Sequence, residues 1–400
     1  MHSRLAKPVL AALLIAPLAA SDPGRASPAA RAARAALDNG LARTPPMGWN
    51  SWNHFGCNVS EQLIKETADA IVASGMRDAG YRYVVIDDCW EVARDAAGAL
   101  VADSTRFPHG IKTLADYVHA KGLGFGIYTD AGTNTCQRRP GTYGHEDQDA
   151  RSFAAWGVDY VKEDWCHAEH LDAPTQYAKF RDALAKAGRP IVFSICEWGS
   201  NQPWEWAPQI GNLWRTTGDI QDKWSSMLSL LDVSSQHASV AHPGAWNDPD
   251  MLEVGNGGMT DDEYRAHFSL WAIMAAPLMA GNDVRAMSTA TRDILTNPEV
   301  IAVDQDSLGV QGMLVREGPP ALQVWAKPLK DGARAVALLN RGDTSATVTA
   351  RFDRLGIRTD SAAVRDLWTR ADRGAFKREY GATVPSHGVV LLRIAPIRTP

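Results

Sequence analysis

From Pro46 to Asp283 the chain repeats one pattern: a short, nearly continuous apolar run ends in polar or aromatic residues, and an amphipathic stretch of helical length follows. Such runs suit parallel strands covered on both faces. They are Met47-Gly48-Trp49, Tyr83 to Ile86, Phe125 to Tyr128, Val158 to Val161, Ile191 to Ile195, Asn212 to Trp214, Ala245-Trp246 and Leu278-Met279. Eight βα units over this length predict a (β/α)₈ TIM barrel. A doubly wound open sheet is the competing architecture, but no strand is followed by a glycine-rich phosphate turn. Thr260 with Glu263 reads as a capping box opening a helix, and Asn58 with Glu61 reads similarly.

After Gly312 the pattern changes to short alternating runs, Leu322 to Ala326, Ala335 to Leu339, Thr347 to Phe352 and Val389 to Ile394, separated by Gly, Asp and Pro turns. This predicts an antiparallel β-sandwich. The expected organisation is a signal peptide and linker over 1–36, a catalytic barrel over 37–311 and a β-sandwich domain over 312–400.

The first residues carry Arg4 and Lys7, then an apolar run from Val9 to Ala20 broken by Pro17, with small residues behind it. This is the layout of an export signal, and the run is shorter than the ~20 residues a membrane span needs. The chain is therefore expected to be secreted, extracellular or periplasmic. Export permits disulfides, and five cysteines allow two bridges with one thiol left over. None forms C-x-x-C, which excludes a zinc ribbon or a thioredoxin-like motif. A net charge of −5 without a basic stripe excludes nucleic acid and anionic membrane as partners.

A barrel of this kind carries its chemistry at the C-terminal ends of its strands. The residues closing the runs are Trp49 and Trp52; Asp87, Asp88 and Trp90; Tyr128 and Asp130; Lys162 and Asp164; Glu197 and Trp198; Arg215 and Asp219; Asn247, Asp248 and Asp250; Asn282 and Asp283. Carboxylates with aromatic rings at one mouth suit sugar chemistry: rings stack on a pyranose, acids bind its hydroxyls, and two acids cleave it. Tyr160, Lys162 and Asp164 are spaced by two and share a strand face, so the lysine can favour an ionised carboxylate. A structural ion pair is the alternative, and Glu163 faces the other way. Asp219 precedes a helix-like run from Ile220 to Leu231, which makes an N-cap its alternative role. Asp248 and Asp250 flank Pro249 and could shape a turn. Adjacent Asp87 and Asp88 repel, and need a ligand, a metal or hydrogen-bond donors. His167-Ala168-Glu169-His170 matches no metalloprotease spacing and reads as a solvated loop. No metal and no cofactor are expected.

Five ordered motifs carry a resemblance. Met47-Gly48-Trp49-Asn50-Ser51-Trp52, Ile86-Asp87-Asp88-Cys89-Trp90, Tyr160-Val161-Lys162-Glu163-Asp164-Trp165-Cys166, Cys196-Glu197-Trp198 and Trp246-Asn247-Asp248-Pro249-Asp250-Met251 resemble glycoside hydrolase family 27, which contains the α-galactosidases. The likeness runs from about Pro45 to Gly312 and includes Gln305-Asp306-Ser307-Leu308-Gly309.

The resemblance implies a barrel followed by an antiparallel β-domain, with Asp164 as nucleophile and Asp219 as acid/base. It maps sugar contacts onto Trp52, Asp87, Asp88, Tyr128, Lys162, Glu197, Arg215 and Asp250. It implies disulfides Cys57–Cys89 and Cys136–Cys166, with Cys196 as a buried free thiol. Asp87 and Asp88 would take the axial fourth hydroxyl and the sixth, and Glu197 would sense the second carbon, favouring galactose over N-acetylgalactosamine. The implied reaction is hydrolysis of terminal non-reducing α-D-galactosyl residues from galacto-oligosaccharides, galactomannans or galactolipids, with net retention by carboxyls ~5–5.5 Å apart. Carbohydrate is the expected partner. Asp219 would have a raised pKa and the rate profile would be bell-shaped and mildly acidic. The alternatives are a β-L-arabinopyranosidase, an α-N-acetylgalactosaminidase or a non-catalytic galactose-binding protein. The chain departs from its relatives at Glu163, where they carry an aromatic residue, and at Trp165, where they carry a small or polar one; both flank Asp164.

Overall fold

The computed structural model describes residues 39–315 and 319–397. The expected export signal and linker, residues 1–36, lie outside the described residues. The first eight barrel strands are β1 (Met47–Asn50), β2 (Tyr83–Ile86), β3 (Gly124–Asp130), β4 (Tyr160–Asp164), β5 (Val192–Ile195), β6 (Leu213–Arg215), β7 (Trp246–Asp248) and β8 (Leu278–Ala280). They form one sheet in the order β8-β1-β2-β3-β4-β5-β6-β7, with every neighbouring pair parallel. All eight runs read from the sequence are strands, because each pairs in parallel with a neighbour and is buried on both faces.

Closure of the ring comes from beyond the end of β7. Leu252 N–H donates to the carbonyl of Met279 at 2.8 Å, and the Leu252 carbonyl accepts from Gly281 N–H at 3.0 Å. Strand alternation divides the buried residues. Val84 and Ile86 face the helices, whereas Val85, Tyr160, Val192, Leu213, Trp246 and Met279 form a separate cluster filling the barrel. Tyr160 lies in that inner cluster, so Lys162 and Asp164, on the same face of β4, point inward too. β1 and β2 approach closely at Gly48, where a Cβ would stand 2.6 Å from the Tyr83 carbonyl oxygen. Only glycine fits there.

The helix Asp261–Met274 opens with the expected capping box, Thr260 accepting from Glu263 N–H and Glu263 from Thr260 N–H. The expected cap at Asn58 is corrected: Ser60 caps the helix Glu61–Ala73, and the Glu61 carboxylate accepts from His109 N–H instead. The helix expected from Ile220 begins only at Trp224, with Lys223 before it. Asp219 therefore lies outside any N-cap. A hairpin of Glu91–Arg94 and Leu100–Ala102, unforeseen in the sequence, follows β2.

The C-terminal strands are β9 (Met313–Val315), β10 (Leu322–Pro328), β11 (Arg334–Asn340), β12 (Ala346–Arg351), β13 (Ser361–Asp366), β14 (Ala371–Lys377), β15 (Glu379–Val384) and β16 (Val389–Pro396). A six-stranded antiparallel sheet, β9-β10-β11-β16-β13-β14, faces the pair β12–β15. Val336, Leu338, Val348, Ala350, Phe352, Val384 and Leu392 fill the space between. The other side of the large sheet packs on the helix Asp261–Met274. There the buried Lys327 ammonium donates to the carbonyls of Ala272 and Asp304, each at 3.2 Å. Among the described residues no helix is long and apolar enough to cross a membrane.

Candidate active site

The strand ends converge on a cavity of about 60 Å³ lined by Trp52, Asn53, Asp87, Asp88, Tyr128, Cys136, Lys162, Asp164, Trp198, Arg215, Asp219, Asp250 and Met251. Parallel pairing explains the convergence: β3 and β4 place Tyr128 beside Lys162 and Asp130 beside Asp164. Every strand delivers its last side chains to the same rim.

Asp164 is buried and held at both oxygens. Trp165 N–H donates to Oδ1 at 3.1 Å and the Tyr128 hydroxyl to Oδ2 at 3.2 Å. Burial pushes its pKa up to about 6, with Lys162 opposing and Asp87 and Asp219 reinforcing the rise. Lys162 does not bond Asp164 directly. Its ammonium lies 2.9 Å from Asp87 Oδ2, an oxygen that also accepts from Asn50 Nδ2 at 2.7 Å. Lys162 thus serves two carboxylates, one by contact and one through space.

The adjacent aspartates are justified by donors. Asp87 Oδ1 accepts from Asp88 N–H at 2.9 Å; the Asp88 oxygens accept from Cys89 N–H at 2.6 Å and Gln137 N–H at 2.9 Å. A carboxylate offers about four lone-pair sites. Three are used on Asp87 and two on Asp88 by these bonds, which leaves acceptor capacity for hydroxyl groups. Burial raises the Asp88 pKa against those hydrogen bonds.

Arg215 organises the opposite wall. Its Nη2 lies 3.0 Å from Asp219 Oδ1 and 3.0 Å from Asp250 Oδ2, and its Nη1 is 3.6 Å from the Cys196 sulfur. Asp250 adopts φ 88° and also accepts from Ile220 N–H at 2.8 Å. Asp219 is exposed, its side chain at 65% of full accessibility. Here an expectation is corrected. Partial desolvation by the cavity wall on one side pushes the Asp219 pKa up, but the positive charges of Arg215 and Lys162 outweigh it and leave the carboxyl below its ordinary value.

Glu197 requires a second correction. It is fully buried, its Oε2 accepts from both the backbone N–H and the side-chain amide of Asn201, and it does not line the cavity. Burial raises its pKa to about 7. The chain turns sharply after it, with Trp198 at φ 58°, so that Trp198 presents its ring to the cavity instead. The remaining sugar-contact candidates, Trp52, Asp87, Asp88, Tyr128, Lys162, Arg215 and Asp250, line the cavity with Asp164 and Asp219.

Cys57 is bridged to Cys89 and Cys136 to Cys166, while Cys196 is a buried free thiol. The second bridge ties the β3 and β4 loops together beside Asp164, and Cys136 reaches the cavity wall. Asp130 lies beside that bridge, where its carboxylate accepts from Cys166 N–H at 2.9 Å. Asn53, Cys136 and Met251 were not read from the sequence as cavity residues: Asn53 follows a recognised motif, Met251 ends one, and Cys136 was expected only as a disulfide partner. The departures at positions 163 and 165 are absorbed outside the cavity. Glu163 is buried and accepts from the Thr142 hydroxyl at 3.0 Å. Trp165 stacks on Tyr177, which stacks on Trp206, with ring centroids 5.2 and 5.7 Å apart. His167, Glu169 and His170 are exposed, as the loop reading required.

Residues 44–306 match the family model described as alpha galactosidase A, and 320–394 match the alpha galactosidase C-terminal beta sandwich domain. The chain belongs to the α-galactosidase family. Alpha-galactosidase 2 of Arabidopsis thaliana is 54% identical over 358 residues, covering 88% of this chain and 90% of that protein. The crystal structure of α-galactosidase I from Mortierella vinacea superposes with a TM-score of 0.88 at 40% identity, over 90% of this chain and 99% of that one. The α-galactosidase of Saccharomyces cerevisiae solved with raffinose gives a TM-score of 0.87 at 32% identity, over 90% and 99%. Within the α-galactosidase fold, the carboxylate cavity just described sits at the mouth of the matched barrel. A wider cavity of about 820 Å³, lined in part by Arg265, Asp366 and Trp368, shares no residue with it.

Proposed function

We propose that Asp164 is the nucleophile and Asp219 the acid/base of a double displacement that cleaves terminal α-D-galactosides. The protein is a glycoside hydrolase of the α-galactosidase type, acting on carbohydrate. In the first step the Asp164 carboxylate attacks the anomeric carbon as Asp219 gives its proton to the departing oxygen, which leaves a covalent β-galactosyl enzyme. In the second, Asp219 takes a proton from water, water attacks the same carbon, and α-galactose is released.

One observation carries this reading: Asp164 is fixed by two donors at the base of a 60 Å³ cavity, and Asp219, the exposed carboxyl at its edge, shares that cavity. A buried, oriented carboxylate suits attack. An exposed one reaches both the leaving group and the incoming water. Asp87, with Lys162 on it, and Asp88 receive the ring hydroxyls opposite the bond to be broken; Trp52, Tyr128 and Trp198 supply the apolar walls. Trp198 forms part of the wall of a cavity of only about 60 Å³, and we infer that it crowds out an acetamido group and so favours galactose over N-acetylgalactosamine.

Raffinose, the sugar held by the yeast relative, represents the galacto-oligosaccharide class this chain acts on. The amino-terminal apolar run and the two disulfides support export. The test is release of nitrophenol from 4-nitrophenyl α-D-galactopyranoside by wild type and Asp164→Ala, with the first-formed galactose anomer followed by NMR. Activity lost in the variant, with the α-anomer formed first by wild type, is expected. Retained activity in Asp164→Ala, or the β-anomer first, sinks the assignment.

A further inference from the structure

The loop that leaves β3 at Asp130 and returns at Thr142 reaches the catalytic cavity with its tip. There Cys136, bridged to Cys166, lines the wall, and Gln137 N–H donates to Asp88 Oδ2 at 2.9 Å. The two limbs of the loop are pressed together. A Cβ on Gly141 would stand 2.2 Å from the Gly132 carbonyl oxygen, and one on Gly132 would stand 2.0 Å from that of Cys166. Thr135 N–H donates to the Arg139 carbonyl at 2.8 Å, Gly141 N–H to Thr133 at 3.1 Å and Tyr143 N–H to Gly132 at 3.2 Å. So close-packed a ladder passes a change at its base on to its tip.

Thr142 closes the base twice over, donating to the Asp130 carbonyl from its N–H at 2.7 Å and from its hydroxyl at 2.8 Å. The same hydroxyl oxygen lies 3.0 Å from Oε1 of Glu163, on the face of β4 opposite to Asp164. A hydroxyl has one proton and a carbonyl has none to give, so Thr142 cannot serve both acceptors. If the carbonyl keeps the shorter bond, the proton in the longer contact has to come from Glu163. The surroundings agree. Glu163 is fully buried, and among the described residues its Oε2 has no hydrogen-bond partner. Asp130 from β3, with Glu146 and Asp149 from the helix Glu146–Trp156, adds negative charge around it. Arg94, facing them from the hairpin, is taken up by both Asp149 oxygens and by the carbonyls of Gly98 and Gly141. From the helix Ala173–Lys186, the Tyr177 hydroxyl lies 3.2 Å from the Asp164 carbonyl and 3.4 Å from that of Glu163, away from the carboxyl. Burial accordingly pushes the Glu163 carboxyl well above the ordinary carboxylate range.

We propose that Glu163 is a positioning residue that works as a neutral acid: it donates to Thr142, leaves the Thr142 hydroxyl to the Asp130 carbonyl, and so holds the loop that brings Gln137 to Asp88. When Glu163 gives its proton to solvent, the Thr142 hydroxyl turns to the carboxylate, one of the two bonds leaves the Asp130 carbonyl, and the donor on Asp88 loosens. The consequence falls on the grip of the galactosyl ring rather than on proton transfer by Asp219. The inference rests on the reading of Asp88 as an acceptor for the ring hydroxyls.

Binding of free galactose tests it, since binding needs no proton on a leaving group. Calorimetric titration from pH 5 to 9 compares wild type with Glu163→Gln, whose amide donates to Thr142 at every pH. The two should agree at pH 5, and at pH 9 wild type should bind about 10-fold more weakly than the variant, reversibly. Affinities that run parallel over the whole range overturn the proposal. Thr142→Val, which removes the hydroxyl and keeps the shape, should weaken galactose binding already at pH 5, and Thr142→Ser should restore it; unchanged affinity in Thr142→Val overturns the proposal as well. At pH 7 the infrared spectrum of wild type should carry a protonated-carboxyl band that Glu163→Gln lacks, and identical spectra in that region would show Glu163 ionised and sink the idea. Absence of galactose binding by wild type at pH 5 would strike the galactoside reading itself, and this inference with it.

Discussion

Arg215 donates to Asp219 across 3.0 Å, and the charge behind that bond reverses the order of the two catalytic candidates: the Asp219 carboxyl is held down while buried Asp164 rises to about 6. In the ligand-free cavity the pair therefore takes up its first proton near pH 6, and the proton is a property of the pair rather than of one side chain.

The reaction needs one proton on the pair, so kcat/KM should be highest below about pH 6 and fall as the pH rises through the value at which the pair loses that proton. It should fall again in acid, once both carboxyls of the pair are protonated. A pH profile with an aryl galactoside measures both limbs. A rate that stays flat from pH 5 to 8 would contradict the shared proton.

Asp219→Ala removes the proton donor but leaves Asp164 in place. Loss of general acid help costs ~10²–10⁴-fold on a sugar leaving group. On 2,4-dinitrophenyl α-galactoside, which departs without protonation, the first step should survive and external azide should restore turnover. Parallel loss on both substrates would deny Asp219 that role.

Trp198, rather than Glu197, lines the cavity. Trp198→Ala should therefore reduce kcat/KM for α-galactosides, by roughly 10-fold or more, while raising the relative rate on the N-acetylgalactosaminide. Glu197→Gln, which keeps its bonds to Asn201, should change the ratio of the two rates little. Rates with the two nitrophenyl glycosides decide between these residues.

Several buried carboxyls make the fold prefer mild acid. Burial raises Asp164 and Asp248 to about 6 and Glu197 and Glu253 to about 7. Their folded pKa values exceed the ~4 of unfolded chains, so the folded state binds more protons between those limits and stability falls as the pH rises through them. Asp304, raised to about 8, acts with them, while His267, lowered by burial to about 3, and His237, lowered less, act the other way below the unfolded value of ~6.5. Tm should be lower at pH 8 than at pH 5, by on the order of 5 °C. A higher Tm at pH 8 would show that the carboxyls relax into water.

The barrel was legible because Val84 to Ile86, Tyr160 to Val161 and Val192 to Ile195 sit in strands whose burial leaves an apolar run in the sequence itself. Strands β13, β14 and β15 were not, since β14 and β15 are largely exposed and interrupted by Gly374 and Gly381. The cavity aspartates were legible as strand-end residues. Two features depended on three dimensions: the turn at Trp198, fixed by a positive φ that no residue type announces, and the position of Asp219, which Arg215 claims before the helix beginning at Trp224 can. The same limit applied to a second cavity, of about 360 Å³, that adjoins the first, with Trp52 and His54 on one wall and Asp219, Gln221 and Glu253, more than 160 residues away in sequence, on the other.

Leu252 closes the barrel, and its neighbours on either side belong to different cavities: Asp250 and Met251 to the first, Glu253 and Asn256 to the second. A single short peptide thus carries the ring's last fastening and part of the wall around the catalytic carboxyls. A lineage or an engineer that reshapes the cavity through that peptide will tend to loosen the barrel with it, whereas Trp52 and Trp198 line the same cavity from outside it.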